Sequence, residues 1–239
     1  MTGLSVRSLS FSYGTKRALD AVSFDVDQGA FCALLGPNGA GKSTLYGLLT
    51  RLFTAPEGEI VIAGHTLSQN PRAALAQIGV VFQQTTLDLD LTARRNLTYF
   101  AALHGLSGRT AHLKIDAALD RLDMAERAGE RTRDLNGGHR RRLEIARCLI
   151  HDPSVLLLDE PTVGLDAAAR RAITDHVHDL SQTDNLTVLW ATHLADEVRD
   201  DDRLLILHKG QILEDGTAGA LRGALPLTDH FLLRTGAAT

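Results

Sequence analysis

Ala30-Phe31-Cys32-Ala33-Leu34-Leu35-Gly36-Pro37-Asn38-Gly39-Ala40-Gly41-Lys42-Ser43-Thr44 is the stretch on which the reading of this chain turns. The apolar run that ends at Gly36 has the look of a buried parallel strand. Gly36 to Ser43 then satisfies G-x-x-x-x-G-K-[ST] in full. From Lys42 a helix is expected, with Leu45, Leu48, Leu49 and Leu52 at helical spacing. Each residue type has a chemical reason. Glycines let backbone N–H groups approach phosphate oxygens, and the helix N-terminus adds positive potential. Lys42 supplies a point charge for the outer phosphates, and the Ser43 hydroxyl can serve a Mg²⁺ ion.

Working outward, Leu4, Val6, Leu9 and Phe11, then Val22, Phe24 and Val26, alternate as half-buried strands do. Ile60–Ala63, Ile78–Phe82, Val155–Leu158, Thr187–Ala191 and Leu204–Leu207 read as further strands. Between 92 and 134 the period changes to that of helices, at Leu97, Phe100, Ala101 and Leu103, then Ile115, Ala118, Leu119 and Leu122. Leu143, Ala146, Leu149 and Ile150 continue the helical stripe, and Ile173, Val177 and Leu180 mark a helix with Asp166 as its N-cap. Strands alternating with helices favour a parallel sheet. The expectation is one α/β domain over 1–239, a P-loop NTPase core with an antiparallel β lobe. Residues 92–149 would form an inserted helical lobe between core segments 1–91 and 150–239.

Composition narrows the function. The 239 residues are 44% hydrophobic and 23% charged, as in ordinary globular proteins, so a disordered or low-complexity chain is excluded. Net charge is 25 − 29 = −4, which offers no global attraction to nucleic acid. The run Arg140-Arg141-Arg142 reads as a solvated helix face rather than a nucleic-acid patch. Cys32 and Cys148 lie in apolar surroundings and are expected to be buried free thiols. No signal peptide opens the chain, and no apolar run approaches the roughly 18 residues that span a bilayer. A soluble, cytoplasmic protein is expected, one that reaches a membrane through a partner.

A second acidic site follows the strand at 155–158. Asp159 and Glu160 stand at its carboxyl end, the edge at which open α/β sheets bind ligands. Asp159 is placed to hold Mg²⁺, and Glu160 to polarise an attacking water.

With these residues in order, the chain resembles the nucleotide-binding subunits of ABC transporters over essentially its full length. Gly36-Pro37-Asn38-Gly39-Ala40-Gly41-Lys42-Ser43-Thr44 resembles their Walker A motif, and Val155 to Pro161 their Walker B motif with its catalytic glutamate at Glu160. Gln83 resembles the Q-loop glutamine, with Gln84 as the alternative in register. Leu135-Asn136-Gly137-Gly138-His139 resembles the signature usually read LSGGQ, 23 residues (159 − 136) before Walker B. Val163-Gly164-Leu165-Asp166 resembles the D-loop, and His193 the H-loop histidine, the alternative being an ordinary cap residue. Tyr13 sits where the family places an adenine-stacking aromatic, the alternative being packing within the β lobe.

The resemblance implies ATP and Mg²⁺ as ligands. Glu160, His193 and Gln83 would be catalytic, and Ser43, Gln83 and Asp159 would face the metal. Asn136, Gly137 and Gly138 would face a second subunit's nucleotide in a head-to-tail dimer, a homodimer in the simplest case. It also implies integral-membrane permease subunits as partners and a place on the inner face of the cell membrane. Asn136 and His139 depart from the usual Ser and Gln, which predicts a working but slower site, since one misplaced donor costs about 10²–10³ in rate.

The wording around LNGGHRRR and FQQTTLDLDLT is similar to export-type cassettes that serve ABC-2 permeases, including some linked to quinone-dependent alcohol oxidation. With only about twenty residues beyond Gly216, no long regulatory tail is expected. Soluble ABC proteins of translation, DNA repair or scaffold assembly, and P-loop kinases, are the competing classes. The 52 residues (135 − 83) between Gln83 and Leu135 leave no room for a repair-type coiled coil.

Overall fold

The computed structural model describes residues 1–236. Along the chain run β1 (Thr2–Tyr13), β2 (Lys16–Asp27), β3 (Phe31–Leu35), α1 (Lys42–Leu49), β4 (Glu57–Ile62), β5 (His65–Thr66), α2 (Pro71–Ala76) and β6 (Ile78–Val81). Then come α3 (Ala93–Leu103), α4 (Gly108–Arg121), α5 (Gly137–Leu149), β7 (Val155–Asp159), α6 (Ala167–Asp184) and β8 (Thr187–Thr192). The described chain closes with β9 (Arg203–His208), β10 (Gln211–Thr217), α7 (Ala218–Arg222) and α8 (Leu227–Thr235).

Two sheets form. One is antiparallel, in the order β2-β1-β4-β5; the other has six strands in the order β10-β9-β3-β8-β7-β6. Within the second, β9, β3, β8, β7 and β6 pair in parallel and β10 pairs antiparallel to β9. The expected strands all form. β10 carries no clear apolar run, because Gln211, Leu213, Asp215 and their neighbours only alternate between exposed and half-buried on an edge.

The parallel strands are buried on both faces, and their two-residue period divides them between two cores. Ala33, Leu35, Leu156, Leu158, Val188, Trp190, Leu204 and Ile206 face a core shared with Leu97, Ile115, Leu119, Leu143 and Ile173 of the helices. Cys32, Leu34, Val155, Leu157, Leu189, Ala191, Leu205 and Leu207 face a second core with α1 and the antiparallel sheet. Cys32 and Cys148 are indeed buried free thiols. The α1 helix stops at Leu49, one turn short of the expected pattern; Leu52 lies beyond it, 66% exposed, in a turn entered through Arg51 at φ 58°.

Close backbone packing fixes the loop between β3 and α1. Gly210, at φ 79° in the β9–β10 turn, donates its N–H to Ala40 O at 2.8 Å, and its carbonyl accepts from Asp20 N at 2.8 Å. A Cβ on Gly210 would lie 2.6 Å from Ala18 O, and one on Gly41 2.8 Å from the same oxygen. Substituting Gly210→Ala is therefore expected to cost about 2 kcal/mol or more, from the left-handed backbone together with the clash. Urea denaturation reads the loss, and weaker nucleotide binding should accompany it because Ala40 shifts.

Candidate functional site: a phosphate-binding cleft at the strand ends

The β3–α1 loop lies at the carboxyl end of the parallel strands and lines a cleft of about 610 Å³ with Tyr13, Gln83, Glu160 and Lys209. Gly36 N donates to Thr192 O at 3.1 Å, tying the start of the loop to the end of β8. Gly39 and Gly41 take φ of 80° and 116°, which open the loop and let α1 begin at Lys42. Lys42 is 5% exposed; its Nζ donates to Gly36 O at 2.6 Å and stands 3.1 Å from Glu160 Oε1. A buried ammonium is thus held among loop carbonyls and one carboxylate, within the cleft.

Asp159 and Glu160 end β7 side by side, 6% and 9% exposed. Glu160 sits at φ 48°, a conformation that costs a non-glycine residue about 1 kcal/mol or more, and its N–H is held by Ala191 O at 2.9 Å. Its Oε2 lies 3.3 Å from His193 Nδ1. Among the described residues neither the His193 Nδ1 nor the Asp159 Oδ1 atom has a hydrogen-bond partner, although both atoms are buried. Burial above all pushes the Asp159 carboxyl up from its ordinary value; the Ser43 hydroxyl beside it pulls the other way. An unpartnered carboxylate oxygen next to a serine hydroxyl is the donor set a hard divalent cation takes, so these residues fit Mg²⁺. Bound there, the cation would neutralise phosphate charge.

The remaining candidates are distributed as follows. Gln83 is exposed and borders the cleft. Tyr13, 48% exposed, also borders it while meeting Phe11 and Phe53 edge-on at 5.0 and 5.8 Å, so it both packs in the β lobe and faces the cleft. Pro37, Asn38, Ser43 and Thr44 line it. Asn136, Gly137 and Gly138 do not. Asn136 caps α5, its Oδ1 accepting from His139 N at 2.8 Å, and Gly137 and Gly138 pack beside Leu165 and Ala169.

One expectation is corrected. The arginines at 140–142 are not a solvated face. Arg141 is 8% exposed and donates to Phe82 O at 2.9 Å, Gln83 O at 3.1 Å and Glu144 Oε2 at 2.6 Å. Glu144 Oε1 accepts from Thr85 Oγ1 and Thr86 N, and Arg147 reaches Val80 O at 3.0 Å. Arg142 pairs with Asp123 at 2.9 Å. The first turns of α5 are thereby wired to the segment that carries Gln83, a role that sequence reading missed. The signal was present in Arg141, Glu144 and Arg147, spaced at three on one helix flank. A second buried acid, Glu197, binds Trp190 Nε1 at 3.0 Å and Thr162 Oγ1, joining the stretch after Glu160 to the stretch after His193.

A family model described as ABC transporter matches residues 19–163. This chain belongs to the ABC transporter ATP-binding family. It is 37% identical over 221 residues to the daunorubicin resistance ATP-binding protein DrrA3 of Streptomyces coeruleorubidus, covering 92% of this chain and 70% of that protein. With the Nod factor export ATP-binding protein I of Rhizobium meliloti it shares 40% over 214 residues, 89% of this chain and 64% of that one. The chain thus spans roughly two thirds of the length of these relatives. Among solved structures, cbiO1 of Clostridium perfringens, part of the ABC transporter complex cbiONQ, superposes with a TM-score of 0.86 at 25% identity, covering 99% and 96% of the two chains. A dimeric bacterial ABC transporter cassette superposes at 0.78 with 26% identity, covering 90% of this chain and 98% of that one. The chain is accordingly an ATP-hydrolysing cassette of the ABC type with the P-loop NTPase fold.

A second cleft of about 620 Å³ is lined by Asp27, Asp201, Asp202 and Asp215 with Arg203, a setting that repels polyphosphate. Because the Asp159 carboxyl titrates higher in the folded chain than in the unfolded one, its ionised form costs stability at neutral pH. That cost disappears as pH falls below the unfolded value, near 3.8, where both states are protonated. Asp159→Asn is therefore expected to raise the melting temperature of the nucleotide-free chain while lowering Mg²⁺-dependent turnover. Calorimetry paired with an ATPase assay checks both halves.

Proposed function

We propose that this cassette binds and hydrolyses Mg²⁺-ATP in the cleft between the β3–α1 loop and Glu160 and so powers an ABC membrane transporter. The observation that carries it is the convergence of Lys42, Glu160 and His193 within 3.3 Å steps at the strand ends, with an unpartnered Asp159 oxygen beside Ser43. In this reading Tyr13 stacks on adenine, and Gly36 to Thr44 wrap the phosphates. Lys42 bears on the outer ones, and Ser43, Gln83 and Asp159 face the metal. Glu160 polarises the attacking water, with His193 and Gln83 completing the site around the γ-phosphate.

The whole chain is then one cassette in which 92–149 form the helical lobe. Asn136, Gly137 and Gly138 do not line their own cleft, and Gly137 lies beside Leu165 of the D-loop, which suits a site completed by a second subunit. Head-to-tail closure of two cassettes, in the simplest case a homodimer, would place a helix N-terminus against each γ-phosphate. That Asn136 Oδ1 is already used as the helix cap leaves its amide group for the phosphate.

A groove of about 430 Å³ lined by Leu52, Phe82, Thr86, Phe100 and Arg147 adjoins the Gln83 segment, and there we place the permease contact. No helix among the described residues is long and apolar enough to cross a membrane, so membrane action requires such a partner; the inner membrane face is its place in this reading. Export is supported by the printed roles of the relatives, Nod factor export and daunorubicin resistance. Those names lend no support to the narrower link with alcohol oxidation, which is not part of the proposal.

Lys42→Ala should abolish nucleotide binding and turnover, and a binding titration that finds ATP affinity unchanged would remove the phosphate assignment. Glu160→Gln should retain ATP binding and lose about 10²-fold or more in turnover. Its solution mass should double from that of the 25.8 kDa chain on adding ATP. A variant that stays monomeric with ATP bound would count against a self-sufficient dimer.

A further inference from the structure

Tyr46 is a polar side chain in the most buried part of the cleft's support, and nothing in the motifs explains it. It lies on the first turns of α1, four residues after Lys42, and is 1% exposed. Its ring packs in the core between α1 and the parallel sheet. Its hydroxyl reaches three main-chain groups at the ends of two strands. The O–H proton is shared between Leu189 O at 2.7 Å and Leu158 O at 2.9 Å, and the oxygen accepts from Ala191 N at 3.1 Å. Burial and the nearby Asp159 carboxylate push the phenol well above its ordinary value, so it remains a donor throughout the working pH range.

The positions of these partners give the contact its meaning. Leu158 immediately precedes Asp159. Ala191 uses its N–H on Tyr46 and its carbonyl on Glu160 N, and it stands two residues before His193. One hydroxyl therefore joins the helix that carries Lys42 and Ser43, the strand that ends in Asp159 and Glu160, and the strand that leads to His193. A leucine or phenylalanine would fill the same core volume, so packing alone does not call for the oxygen.

We propose that Tyr46 is a positioning residue for ATP hydrolysis, its buried hydroxyl setting the register between the phosphate-binding helix and the β7 and β8 ends that carry Asp159, Glu160 and His193. The inference rests on the reading of those residues as the hydrolytic site. It assigns Tyr46 an effect on the chemical step rather than on ATP capture, because the loop glycines and Lys42 bind phosphate through contacts the hydroxyl does not make. Misplacing reacting groups by a fraction of an ångström lowers turnover without a matching loss of substrate affinity.

The test is Tyr46→Phe in the full chain, with kcat, KM for ATP and the Mg²⁺ requirement measured alongside thermal unfolding. The expected result is a roughly ten- to hundredfold lower kcat with KM within about threefold of the parent. A folded variant with unchanged kcat, or one whose loss lies wholly in KM, overturns the proposal. If Tyr46→Phe does not fold alone, the same change is made in the Glu160→Gln chain, where bound ATP stabilises the fold. There ATP affinity should stay within about threefold of that of Glu160→Gln alone, and a larger loss of affinity overturns the proposal. Glu160→Gln alone tests the underlying reading: if it turns over ATP normally, the site assignment fails. If it is inactive while Tyr46→Phe is silent, only the positioning role fails.

Discussion

Ala191 and Thr192, the last two residues of β8, hold the site together through their main-chain groups. Thr192 O takes the N–H of Gly36, Ala191 O takes that of Glu160, and Ala191 N is bound by the Tyr46 hydroxyl. β8 is flanked by β3, which leads into the β3–α1 loop, and by β7, which leads to Asp159 and Glu160, so its end lies between the two. In a parallel sheet every strand delivers its carboxyl end to the same edge. What remains is to fix how far each loop travels before its functional group appears. Three hydrogen bonds of 2.9–3.1 Å to one strand end do this. The left-handed turn at Glu160 is tolerable for the same reason: its N–H is satisfied by Ala191 O of the neighbouring strand β8.

The second constraint runs through α5. Arg141, Glu144 and Arg147 are buried charges, and such groups contribute little net stability once desolvation is counted. They hold geometry instead. Their donors and acceptors are spent on the main chain of Val80, Phe82, Gln83 and Thr86, so Gln83 is positioned by a helix that begins at the signature residues. α5 and the Gln83 segment are thus joined by hydrogen bonds of charged side chains rather than by apolar packing alone. The neighbouring groove shares Phe82, Thr86 and Arg147 with that linkage, so an occupant there would press on the same bonds.

Much of this was legible in the residues because phosphate chemistry leaves few alternatives. Gly36 to Ser43 complete G-x-x-x-x-G-K-[ST], Gly39 and Gly41 take the left-handed backbone that favours glycine, and the strand before them is apolar on both faces. Apolar runs located β3, β7 and β8, alternation located β1 and β2, and the 3.6 period located α5 and α6. Three features were hidden. β10 is an edge strand whose half-exposed face dilutes its alternation. Arg141 looked solvated because charge runs usually are, and only the partners on a distant segment reveal its burial. Tyr46 sat among leucines in an apolar helix, where its ring satisfied the pattern and its hydroxyl left no trace in the spacing.

The cleft is also where the chain departs furthest from the rules it obeys elsewhere. An unpartnered Asp159 oxygen, an unpartnered His193 nitrogen, a buried Lys42 ammonium and the left-handed Glu160 all fall within it. Each costs stability, and folded proteins tolerate such groups chiefly where a ligand relieves them. In the proposed reading, triphosphate oxygens would meet the Lys42 ammonium and a divalent cation would meet the Asp159 oxygen. Ligand binding then stabilises the fold in proportion to its occupancy.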